Sequence, residues 1–210
     1  MMLINIHPSQ KEKGRFCLRL DDGRTLTVTE NELLSFGLCR GMELSERQIH
    51  EVSRSAGKSR ASMKAARMVG ARPLSKSELV SRLIRKGERA DDAEAAAIRM
   101  ENLGAVDDAS YAAVLVRRYA DRGYGPAKMK EELYRRGIDR ALWEQAMRQA
   151  PAPEEIICTY LSLKKRGVDL EDKTERRRLV DALRRRGFSW DQVEDGLTLY
   201  RERKSEQPDA

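Results

Sequence analysis

The chain has 210 residues, 36% of them charged and 5% aromatic, and a net charge of +7. Leu, Ala, Val and Met recur too regularly for disorder, and the positive balance points to polyanions or acidic protein surfaces as partners. Three scattered cysteines, Cys17, Cys39 and Cys158, argue against a disulfide framework or a zinc site, and the lack of a long apolar run predicts a cytoplasmic chain without membrane association.

The charge is unevenly spread. Residues 1–44 and 151–210 each balance to zero, whereas 45–103 carry thirteen basic against eight acidic side chains and 104–150 carry nine against seven.

In chain order, Arg15–Leu20 and Thr25–Thr29 flank Asp21-Asp22-Gly23-Arg24, which predicts a β-hairpin because Gly tolerates the positive φ of a tight turn. Ile4–His7 suits a third strand. Ser45 with Gln48 forms a capping box for a long helix over about 46–70, with an apolar stripe through Ile49, Val52, Ala56, Met63, Ala66 and Val69. Arg72-Pro73 ends it. Ser75 and Glu78 cap the next helix, which stops at Gly87, and a further helix spans Asp91 to Leu103. Asp107 or Asp108 caps a helix bearing Tyr111, Val114, Leu115 and Tyr119. Pro126 suits the first turn of the one after. Pro151-Ala152-Pro153 marks a break.

Gly87, Gly137 and Gly187 stand fifty residues apart and end the same local pattern. Leu79, Met129 and Leu179 share a column; so do Leu83, Leu133 and Leu183. Beyond the glycines, Ala93, Trp143 and Val193 align, as do Ala96, Ala146 and Gly196, and Ala97, Met147 and Leu197. A fixed period with helical spacing is the mark of stacked supersecondary units. The reading is mainly α, with three tandem three-helix repeats behind a small N-terminal β-hairpin extension. The divisions are 1–44 for the extension, 45–103 for the first repeat with its long basic leading helix, 104–150 for the second, 151–203 for the third, and 204–210 for a disordered polar tail.

No catalytic constellation stands out, and no cofactor is implied. His7 and His50 sit in no ligand motif, and Gly57-Lys58-Ser59 lacks the first glycine of a phosphate-binding loop, with Val52 in its place. The basic residues are more informative. Arg54, Lys58, Arg60, Lys64, Arg67 and Arg72 follow one another with no intervening acid. Arg54/Lys58 and Arg60/Lys64 are each four apart, a mildly destabilising arrangement that suggests an anionic partner. In the middle repeat Arg117, Arg118, Arg122, Tyr124, Lys128 and Lys130 make a second group, since Tyr and Arg dominate interface energetics. On this reading, charge reversal at Arg60, Lys64 and Arg67 weakens partner binding and leaves the melting temperature nearly unchanged.

With these residues laid out, the sequence resembles the bacterial RecX family. Arg72-Pro-Leu-Ser-Lys-Ser-Glu-Leu79 followed by Leu83-Ile-Arg-Lys-Gly87 is similar to the family's first-repeat signature. Leu103-Gly-Ala-Val-Asp-Asp-Ala-Ser-Tyr-Ala112 resembles the opening of its second repeat. Gly123-Tyr-Gly-Pro-Ala-Lys-Met-Lys-Glu-Glu-Leu-Tyr-Arg-Arg-Gly-Ile138 resembles that repeat's core and is the most specific stretch. Gly14-Arg-Phe, Asp22-Gly and Leu33-Leu-Ser-Phe-Gly-Leu38 look like the hairpin-bearing extension of some members. A departure lies in Gly57, Ser59 and Ser62, poor helix formers inside the long basic segment.

The resemblance implies an elongated, non-enzymatic, cytoplasmic protein that binds the RecA–single-stranded DNA filament. It also implies inhibition of that filament's ATPase, strand-exchange and coprotease activities. A monomer is the default for an open repeat array. The alternative is a stand-alone basic helical-repeat protein that binds single- or double-stranded DNA directly.

Overall fold

The computed structural model describes residues 1–10, 13–164 and 169–206. The described chain is mostly helical, with a small three-stranded antiparallel sheet at its N-terminus. It forms two compact units: 1–73 with 79–106, and 74–78 with 107 onward.

In the first unit, β1 (Leu3–Pro8), β2 (Arg15–Leu20) and β3 (Thr25–Thr29) pair in that order. The Asp-Gly turn closes β2 on β3 with Gly23 at φ +87° and the Arg24 amide bonded to Asp22 Oδ1 at 3.0 Å. Alternation along the strands turns Leu3, Leu18, Leu20 and Val28 inward, where they meet Ile49, Val52 and Ala56 of α2 (Glu46–Ala71). A sheet this small needs such a helix to bury its face.

Between them lies α1 (Glu30–Ser35), a helix absent from the sequence reading although Thr29-Glu30-Asn31-Glu32 carries a capping-box signature. Ser45 and Gln48 form the expected box at the start of α2. The apolar stripe of α2 differs from expectation in its second half. Ala61 and Ala65 are fully buried, whereas Met63 and Val69 are half-buried and Ala66 is exposed. Small residues win there because α4 (Ala90–Asn102) presents Ala93, Ala96 and Ala97, and alanines on both faces suit a close approach of two helices.

The poor helix formers of α2 are explained by what they face. A Cβ on Gly57 would lie 2.9 Å from Asp92 Oδ2, and Ser59 donates to Glu32 at 2.5 Å. α3 (Lys76–Arg85) completes the unit with Leu79 and Leu83, both fully buried, and gives its first turn to the second unit.

The second unit packs α5 (Asp108–Asp121), α6 (Pro126–Arg135), α7 (Trp143–Met147), α8 (Pro153–Lys164), α9 (Lys173–Arg185) and α10 (Trp190–Glu206) around one continuous core. Met129, Leu133, Ile157, Leu161, Leu183 and Leu197 anchor it. Asp107 caps α5 through the Ser110 amide, and Pro126 stands in the first turn of α6. α7 is shorter than the corresponding helices, and a 3₁₀ turn over Arg140–Leu142 precedes it. Asp139 caps the Ala141 amide and Pro151 and Pro153 follow closely, so little chain remains for a longer helix. α10 runs through Glu206, so Lys204–Glu206 are helical, and the rest of the expected tail, 207–210, lies outside the described residues.

The loop bearing Gly123 and Gly125 meets the loop of the repeat glycine Gly187 inside this unit. The Gly125 amide donates to Arg186 O at 2.9 Å, and the Ala127 amide to Gly187 O at 3.1 Å. Arg186 Nη1 in turn donates to Arg122 O and Gly123 O, and its guanidinium lies over Tyr160 at 4.2 Å and Tyr124 at 5.0 Å. A Cβ on Gly125 would come within 2.5 Å of Gly187 O, which is backbone and cannot swing aside. Gly125→Ala is therefore expected to cost about 1–3 kcal/mol, the range for overpacking. Gly70→Ala, with open space around it and no positive φ, should be neutral or gain up to about 1 kcal/mol. Urea midpoints of the two variants check the pair.

Candidate interaction surface

The six basic residues at 54–72 do not behave alike. Arg54, Lys58, Arg67 and Arg72 are exposed and form no ion pair with any described residue. Arg60 and Lys64 are instead committed inward, although Arg67 shares their i, i+4, i+7 face of α2. Arg60 Nε lies 3.0 Å from Glu88 Oε2 and Lys64 Nζ 2.5 Å from Oε1, and the Glu88 side chain has no exposure at all. Glu88 follows the glycine that ends α3 and precedes α4, so the pairs fasten that turn to α2. The expectation that reversing Arg60, Lys64 and Arg67 leaves folding untouched is thus corrected for the first two.

The second group divides similarly. Arg117, Arg118, Arg122 and Lys130 have exposed side chains without an ion pair to a described residue. Lys128 is half-buried and bonded to Glu131 at 2.6 Å, which raises its pKa. Tyr124 is half-buried between Tyr119, with ring centroids 5.2 Å apart, and the Arg186 guanidinium. It serves the glycine-loop joint. Tyr111 is equally engaged: Arg136 Nη1 donates to its oxygen at 3.0 Å and to Glu78 at 3.0 Å. Arg140 over Trp143 and Arg184 over Trp190 add two cation–π pairs that the sequence reading did not single out. Trp190, 54% exposed, is a large apolar surface beside a cation.

Two carboxylates set the electrostatics beneath these surfaces. Burial pushes the Glu132 carboxyl up, but hydrogen bonds from Arg136, Arg135 and Tyr119 outweigh it and leave the pKa below 4.5. Glu32 shows the same balance, with Ser59, Thr29 and Ser55 as its donors. Within the described residues no group of His, Cys, Asp and Glu is arranged to hold a metal ion, and no helix is long and apolar enough to cross a membrane. His7 and His50 are exposed.

The segment 107–147, from the cap of α5 through α7, matches the family model described as RecX, second three-helix domain. The regulatory protein RecX of Stenotrophomonas maltophilia strain K279a is 33% identical over 120 residues, covering 57% of this chain and 74% of that protein. The chain belongs to the RecX family. A RecX protein of Chromohalobacter salexigens is 31% identical over 136 residues, 63% of this chain and 88% of that protein. The relation to RecX of Lactobacillus delbrueckii reaches 32% over 148 residues, yet the chain spans 55% of that longer protein. Crystal structures of regulatory protein RecX share the fold, with a TM-score of 0.69 at 24% identity over 94% of this chain and 98% of the other. The one from Lactobacillus salivarius gives 0.62 at 19% over 70% and 99%.

Two outcomes follow from the geometry. Arg60→Glu with Lys64→Glu strands Glu88 among like charges and should cost about 2–3 kcal/mol. That is below the roughly 3–5 for breaking a fully buried pair, because both cations remain about a third exposed. Arg67→Glu with Arg72→Glu should leave the unfolding midpoint within about 0.5 kcal/mol. The pH dependence has a definite sign. Glu132 and Glu32 have folded pKa values depressed below 4.5, so their contribution is full above pH 4.5 and is lost as pH falls through the folded values. Urea midpoints between pH 3 and 7 should drop below pH 4.5, and Glu132→Gln should flatten that drop while lowering stability at pH 7.

Proposed function

We propose that this chain is a negative regulator of the RecA recombinase. It binds the RecA–single-stranded DNA filament and inhibits its ATPase, strand-exchange and coprotease activities without being an enzyme itself. Membership of the RecX family carries the reading. The exposed, unpaired cations Arg54, Lys58, Arg67 and Arg72, with Arg117, Arg118, Arg122 and Lys130, support it as the side chains that meet DNA phosphates or acidic protein surface. Tandem repeats favour a polymer over its free subunit because several weak contacts on one chain gain effective concentration. Occupying the filament would exclude incoming duplex or repressor substrate.

Free cations also suit naked nucleic acid, and that second reading predicts a different salt response. About four phosphate contacts on duplex DNA would give a log–log slope between −3 and −4. RecA ATPase on single-stranded DNA, titrated with this chain, separates the two. Inhibition is expected at ratios too low to coat the DNA, and Arg54→Glu with Arg67→Glu and Arg72→Glu should weaken it at unchanged melting temperature. Unaltered ATP turnover at saturating chain would reject filament regulation. Inhibition that appears when the DNA is fully coated would transfer the case to plain DNA binding.

A further inference from the structure

The first unit contains a cavity of about 360 Å³, within the roughly 300–1,000 Å³ of small-ligand sites. β3 and α2 wall it, and the start of α4 closes it. Asp92, in the first turn of α4, lines this cavity at 5% exposure. Its carboxylate accepts no hydrogen bond and forms no ion pair with any described residue. The residue is buried but its oxygens are not among the described side-chain atoms cut off from solvent, so the donors they take come through the mouth of the cavity. Gly57 faces Asp92 Oδ2, and any side chain there would displace the carboxylate.

The remaining charge in the lining is positive. Arg54 is exposed and unpaired; Arg89 has a loose contact to Asp91 at 3.8 Å; Arg60 is turned onto Glu88. His50 stands beside them. A metal ion or a basic peptide side chain would meet this cationic lining, and a bare phosphate would meet Asp92. The arrangement suits a ligand with paired donors at one end and a negative group at the other.

We propose that this cavity is a guanine-nucleotide site. The N1–H and N2–H groups of guanine donate to the two oxygens of Asp92, and the phosphate meets Arg54 and Arg89. A carboxylate accepts and cannot donate, and guanine alone among the DNA bases offers it two adjacent donors on one edge. β3 is the sheet's edge strand, so its outer backbone groups are available to the same base. The nucleotide can be free or part of a single strand, since both present the same base edge. The site shares Arg54 with the filament contact proposed above, but Asp92 and the inosine comparison play no part in that reading, so either can fail alone.

Calorimetric titration of the full chain with GMP, IMP and AMP tests it, alongside oligonucleotides of one length containing deoxyguanosine or deoxyinosine. Inosine lacks the N2 amine and changes nothing in the protein. GMP is expected to bind at least about tenfold more tightly than IMP or AMP, as for a good bidentate contact. Asp92→Asn should abolish that preference in a variant with an unchanged circular dichroism spectrum. A preference confined to the oligonucleotides would identify a base within a strand as the ligand. Equal binding of guanine and hypoxanthine in both arms would overturn the proposal, as would a guanine preference that survives in folded Asp92→Asn. Should Asp92→Asn not fold, the inosine comparison decides alone.

Discussion

Carboxylates held away from water organise this protein. Glu32, Glu88 and Glu132 are each 5% exposed or less, and each is met by donors fixed on helices. An ionised carboxylate in such a place is tolerable with its partners in position and costly without them. Glu32 therefore ties α1 to the serines of α2, and Glu88 ties the turn between α3 and α4 to Arg60 and Lys64 of α2. Glu132 holds Arg135 and Arg136 at the end of α6. Arg136 extends that network to Glu78 and Tyr111, so a helix cap and an aromatic ring share one set of charges.

This use of charge decides which basic side chains are free to act. A strongly basic chain invites the view that all its cations serve a partner, but several are internal counter-ions here. Among the candidate residues, those left over are Arg54, Lys58, Arg67 and Arg72 in one unit and Arg117, Arg118, Arg122 and Lys130 in the other, and they are the ones that bear on the proposed filament contact. Asp92 is the counterpart among the acids. Most of the residue is buried like the others, but its carboxylate takes no donor from the described residues and lines a cavity, which is why we read it as a ligand group.

Glycine has a comparable double use. At positions 87, 137 and 187 a positive φ ends a helix, which any sequence reader can infer from the residue type. At 125, 187 and 196 the missing side chain admits a neighbour: Gly187 O, the Lys128 amide and Ile157 respectively. Close approach of this kind makes the second and third repeats share a core.

Much of this was legible beforehand. The fifty-residue period, the buried Leu79, Met129 and Leu179 column, the caps at Ser45, Ser75 and Asp107, and the Asp-Gly turn all arise from local chemistry, because helix periodicity, capping and turn geometry are properties of a few consecutive residues. The helix α1 was also written locally, in Thr29 and Glu32, and was missed. What tertiary structure alone decided were the pairings between distant segments. Glu88 chooses Arg60 and Lys64 from a run of six similar cations, Arg186 chooses the Tyr124 and Tyr160 rings, and alanines replace larger residues at the α2–α4 contact. Residue type states that a charge or a ring needs a partner. Which partner it takes, and which side chains are left to face the solvent, depends on distances that exist once the helices have packed.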